Sequence, residues 1–76
     1  MQNIRIAYSI DEAAECTGIG RNTLRMLIEW KKLPVLKVGR KLLIRGDTLE
    51  AFIRLNEGQN LRDRDAVKGI NVRLDG

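Results

Sequence analysis

Thr17-Gly18-Ile19-Gly20-Arg21-Asn22-Thr23-Leu24 is the stretch on which the fold turns. One apolar residue between two glycines makes a turn too tight to be a linker, with Ile19 directed into a core. Helical periodicity flanks it on both sides. Upstream, Ser9 and Glu12 fit a capping box: the hydroxyl accepts a free backbone N–H, and the carboxylate accepts the cap's own N–H. The helix so started covers residues 10–16, with Ile10, Ala13, Ala14 and Thr17 on its inward stripe. Its two alanines admit a second helix at close range, and Gly18 closes it. Downstream, residues 21–31 form that second helix, with Leu24, Leu27 and Ile28 buried and Trp30 near the end. Its other face carries Arg21, Asn22, Arg25, Met26 and Glu29. Lys31 and Lys32 suit the negative end of the helix dipole, and Pro34 forbids continuation.

Working outward, residues 35–44 read as a hairpin about Gly39-Arg40-Lys41. A two-residue Gly39-Arg40 loop opposes Val38 to Lys41 and Lys37 to Leu42, mixing charged and apolar side chains on both faces. A three-residue loop opposes Val38 to Leu42 and Leu36 to Ile44, collecting the apolar residues on one face. Glycine first suits the shorter type II′ turn, but burial across the hairpin favours the longer loop, which is the register expected. Asp47 and Glu50 suggest a second capping box, opening a third helix with Leu49, Phe52 and Ile53 on one stripe. Residues 4–8 read as a short extended lead-in. Residues 1–57 thus form one domain. Residues 58–76 are a charged tail, in which Ile70, Val72 and Leu74 alternate with polar neighbours. Three states stay open for that tail: disorder, an edge strand beside the lead-in, or order gained against a partner.

Charge is concentrated in the middle of the chain. Residues 21–45 hold eight lysines and arginines against a single acid, Glu29, a formal +7, whereas the flanking segments are slightly acidic and the whole chain is +4. A helix and a hairpin tip therefore share the excess, which points to a polyanion as partner. Catalysis is not expected. The chain has no histidine to activate its single serine, Ser9, and no glycine-rich phosphate loop, and neighbouring acids such as Asp63 and Asp65 read as solvated charge. With one cysteine there is no internal disulfide and no metal or cofactor set is expected. Cys16 is expected as a small buried apolar residue, and Trp30 and Tyr8 as core. No apolar run would span a bilayer and no secretion signal opens the chain, so a cytoplasmic location is expected.

The order helix, glycine turn, helix, hairpin, helix is marked by Ser9-Ile10-Asp11-Glu12-Ala13-Ala14, Gly18 to Leu24, Leu33-Pro34, Val38-Gly39-Arg40 and Leu49-Glu50-Ala51-Phe52-Ile53. With these landmarks the chain resembles the excisionase-type helix-turn-helix family, whose small domain is akin to the DNA-binding domains of MerR-type regulators. The resemblance covers residues 8–53. It departs at Gly20, where the family commonly carries serine or a similar capping residue.

The resemblance implies a small α+β winged helix-turn-helix: two helices about the turn, a two-stranded β-hairpin wing and a third helix. It implies double-stranded DNA as ligand, with the second helix in the major groove and the wing on the backbone or the adjacent minor groove. Arg21, Asn22, Thr23 and Arg25 are then the candidate base readers, and Lys37, Arg40 and Lys41 the candidate phosphate or minor-groove contacts. The bland alternative for each is a solubilising surface charge. Glu29 would be held away from phosphate, paired with Arg25 four residues before it. The function implied is an excisionase, a recombination directionality factor of a phage or integrative element. Such a factor binds beside attachment sites, bends DNA, assists an integrase and associates with further copies on DNA. The rivals are a small transcriptional regulator on the same fold and a basic protein-interaction module.

Overall fold

The computed structural model describes residues 6–70. Strand β1 (Ala7–Ser9) leads into helix α1 (Ile10–Thr17), and helix α2 (Arg21–Glu29) follows the turn. Strands β2 (Leu36–Val38) and β3 (Lys41–Arg45) form the hairpin, and helix α3 (Gly46–Leu55) follows without a linker. This is the expected small α+β winged helix-turn-helix, with one strand more in the sheet. Residues 4 and 5 of the expected lead-in lie outside the described residues. The sheet order is β1-β3-β2, both pairs antiparallel, so β3 is central.

The start of α1 is built as its sequence requires. Ser9 Oγ accepts the Glu12 N–H at 3.1 Å, and Glu12 Oε1 accepts the Ser9 N–H at 2.9 Å. The turn that follows is held from both ends. Gly18 lies in the left-handed region at φ 80° and donates to Ala14 O at 2.9 Å. Thr17 Oγ1 donates to Ala13 O at 2.7 Å and accepts the Ile19 N–H at 3.0 Å, fixing the exit from α1. Helix α2 ends at Glu29, two residues earlier than its sequence suggests. Lys31 adopts φ 64°, and the Lys31 and Lys32 N–H groups donate back to Ile28 O and Leu27 O. That is a Schellman ending, with lysine where glycine is usual.

The hairpin corrects the expected register. Val38 opposes Lys41, Lys37 opposes Leu42 and Leu36 opposes Leu43, so the loop has two residues, Gly39-Arg40. Of these only Gly39 has positive φ, at 63°, as a type II′ turn requires. The burial argument for a longer loop fails because little of the wing is buried: Leu36 and Val38 are 48% and 57% exposed. Turn geometry, rather than burial of Leu36 and Val38, sets the register. Tyr8, Leu42 and Ile44 nevertheless share the inner face and pack on the core.

The capping box expected at Asp47 does not form. Strand β1 extends its pairing, and Gly46 N–H donates to Ile6 O at 2.8 Å. Helix α3 therefore begins at Gly46 with Arg45 as an N-cap whose side chain caps no helix N–H; its guanidinium donates instead to Asp47 at 2.6 Å. Leu24, Leu27, Leu33, Ile44 and Phe52 are fully buried at the junction of the three helices and the sheet. Each contributes about 1.5–3 kcal/mol by leaving water.

The charged stretch after α3 runs back over this core. Val67 is 2% exposed, and Ile70 N–H donates to Lys32 O at 3.0 Å. Asn56, itself 4% exposed, clips the stretch in place. Its amide donates to Lys68 O at 2.9 Å and accepts the Lys68 N–H at 2.7 Å, as a neighbouring strand would. The alternation through Val72 and Leu74 lies outside the described residues. One smaller correction follows from packing. Cys16 is exposed on α1 rather than buried, because the inward stripe passes through Ala13 and Thr17. Trp30 does pack on the core, with the Arg64 guanidinium 5.9 Å from its ring.

Candidate nucleic-acid interface

The turn determines what α2 presents. Because Leu24 and Leu27 are buried, the first turns of the helix leave Arg21, Asn22 and Arg25 exposed, while Thr23 is half-buried. Gly20, the N-cap, makes no side-chain bond, which leaves the amino end of α2 carrying its partial positive charge.

Arg25 is the hinge of the arrangement. It lines a groove with Arg40 and Lys41 from the wing, floored by Ser9 and Leu42. A second groove joins Arg25 to Lys37, beside Ile28, Val35 and Glu29, so Glu29 borders the cationic face from which it was expected to be held away. A third, at the turn, joins Arg25 to Arg21 and Asn22. The exposed half of α2 and the wing tip therefore lie on one side of the molecule. Arg25, Lys37, Arg40 and Lys41 are all exposed, and none forms an ion pair among the described residues. Their charges are thus available to an approaching anion.

Two details differ from the expectations. Arg25 and Glu29 do not pair among the described residues. Arg21 is engaged: its Nη1 donates to Asp11 Oδ1 at 3.1 Å, with both side chains largely exposed. Asp11 itself lines the groove shared by Arg25, Arg40 and Lys41, whereas beside Glu12 in the sequence it reads only as solvated charge. Ten residues separate it from Arg21, so only the crossing of α1 and α2 brings the two together.

A family model described as a helix-turn-helix domain matches residues 7–56, from the first residue of β1 to the C-cap of α3. The chain belongs to the helix-turn-helix domain family. No curated protein and no solved structure matches it. As a helix-turn-helix domain it is a binder of double-stranded DNA that recognises sequence. No helix among the described residues is long and apolar enough to cross a membrane.

Proposed function

We propose that this helix-turn-helix protein is an architectural factor in site-specific recombination, an excisionase that bends DNA beside an attachment site and assists an integrase. The observation that carries the reading is the groove shared by Arg25, Arg40 and Lys41, which joins helix and wing in a single cationic face. Helix α2 enters the major groove, where Arg21, Asn22, Thr23 and Arg25 meet base edges. An arginine there bridges guanine O6 and N7, and Asn22 pairs with adenine N6 and N7. Lys37, Arg40 and Lys41 take phosphates or a narrow minor groove, supplying affinity more than sequence choice.

No catalytic group is needed for this work. A domain so small bends DNA by neutralising one side of the backbone and by binding neighbouring sites in several copies. Contacts between those copies offset a deformation cost of about 1–6 kcal/mol. Residues 58–70 pack on the core of their own domain, which leaves their outer side to contacts made on DNA. The exposed charges Arg62, Asp63 and Asp65 on that stretch offer a surface to the integrase or to a second copy.

Duplex titration tests the DNA face: about six phosphate contacts lower affinity about a thousandfold between 50 and 200 mM salt. An excision assay with the integrase and attachment-site DNA tests the role. Excision that depends on this protein supports it; repression of a promoter with no effect on excision assigns a regulator instead. Tight binding to an acidic protein that duplex DNA does not displace would replace both.

A further inference from the structure

Three carboxylates border the grooves around Arg25: Glu15 at the turn, Glu29 beside Lys37, and Asp11, which is set apart by its place. It borders the groove of Arg25, Arg40 and Lys41 and also the turn groove of Arg21 and Arg25, and among the described residues it is the only carboxylate common to both. A negative charge there opposes phosphate. Its bond to Arg21 joins side chains 60% and 70% exposed, so the pair adds little to the stability of the free protein. The ion pair alone does not account for it.

Geometry does. Asp11 sits in the first turn of α1, where the helix dipole favours a carboxylate, while the neighbouring Glu12 is occupied by the capping box. Arg21 opens α2, where a free guanidinium would sample many rotamers. A guanidinium presents five donors in a planar fork, so one nitrogen held by Asp11 leaves others for a second acceptor pair. An arginine ordered before it meets DNA loses less side-chain freedom on binding.

We propose that Asp11 is a positioning residue for sequence choice: it aims the Arg21 guanidinium at a guanine edge, and its charge weakens attachment to DNA that lacks that guanine. The inference rests on the placement of α2 in the major groove. It separates two quantities that a purely cationic face would raise together, affinity for any duplex and preference for one.

The test starts by selecting preferred duplexes for the wild-type protein from a pool with a randomised centre. Affinities are then compared on a selected duplex and on a mixed-sequence duplex of the same length. Asp11→Asn is expected to bind the mixed duplex about fivefold tighter, because one repulsive charge is gone. Its preference for the selected duplex falls about tenfold, concentrated at one G·C pair. Arg21→Lys keeps the charge but not the fork; it loses the same preference without the gain on mixed DNA. The double variant loses no more preference than either single one, as groups acting as a unit require. Thermal unfolding of each variant confirms that it folds.

Undiminished preference in Asp11→Asn overturns the proposal, as do single-variant losses that multiply in the double variant. If Arg25→Ala and Arg40→Ala leave both affinities unchanged, the DNA-facing surface itself is wrong and the role of Asp11 falls with it. Arginine-dependent binding with intact discrimination in Asp11→Asn removes only the role of Asp11.

Discussion

Gly20 begins α2 with extended backbone, at φ −62° and ψ 151°, and a Cβ placed on it would meet nothing nearer than Thr23 Oγ1 at 4.0 Å. A capping side chain therefore fits without strain. Gly20→Ser is expected to raise stability by a few tenths of a kcal/mol in urea unfolding, since serine caps a helix slightly better than glycine does. Gly20→Asp caps comparably but puts a carboxylate at the amino end of α2, and its affinity for duplex DNA should fall severalfold while stability rises. Equal DNA affinity for the two variants would place phosphate far from this helix end. Lys31 is the opposite case, a side chain where none is wanted. At φ 64° it occupies the left-handed position of the Schellman ending, so Lys31→Gly should stabilise the fold by about 0.5–1 kcal/mol. The check is a higher urea midpoint at an unchanged slope. Both positions show what single residues disclose. The Ser9–Glu12 box could be read directly because its chemistry is complete within four residues. The ending at Lys31 could not, because no propensity favours lysine there.

Among elements, what could be read in the sequence divides by how much apolar surface each one buries. Helices α1 and α2 follow their stripes closely because Ile10, Ala13, Leu24 and Leu27 must all leave water. The wing obeyed its turn instead, leaving Leu36 and Val38 exposed on its outer face. The pairing of β1 with β3, and the early start of α3 that it imposes, depend on strands more than thirty residues apart in register Ala7 to Arg45. No local pattern encodes that. Residues 58–70 present the same problem. Their charge density leaves disorder, an edge strand and order on a partner all open, but Val67 is buried and Asn56 supplies the hydrogen bonds that a strand would have made. A clip of this kind is expected to fail as a unit. Asn56→Ala leaves the Lys68 N–H and C=O without their partner and should cost about 1–3 kcal/mol. Hydrogen exchange at the Lys68 and Ile70 amides should accelerate with it, while the α2 amides up to Leu27 change only as global stability does. Unchanged exchange at Lys68 would mean that Val67 and the Ile70–Lys32 bond hold the stretch without Asn56.

At the scale of the whole molecule the decisive quantity is where charge lies, and composition hid part of it. The +7 of residues 21–45 could be counted from the chain, and the grooves around Arg25 gather much of it on one side. The count did not show that Asp11 enters that face from α1, or that Arg45 is turned to Asp47 and withheld from it. The cationic surface is thus smaller than the count suggests and more sharply centred on Arg25. A division of labour follows from its shape. Arg40 stands at the tip of an exposed loop, held by a turn and no buried side chain, so it meets whatever backbone the duplex offers. Arg25 and Asn22 stand on a helix fixed by Leu24 and Leu27, and a rigid mount is what discrimination between base edges requires. Arg40→Ala should therefore weaken selected and mixed duplexes alike and flatten the dependence of log K on log salt by about one unit. Arg25→Ala or Asn22→Ala should cost about 1–3 kcal/mol on the selected duplex and much less on mixed DNA. The same titrations, run on both duplexes at several salt concentrations, measure all of this. Should the helix variants lose equally on both while Arg40→Ala loses selectively, the wing would be the reader and α2 the anchor.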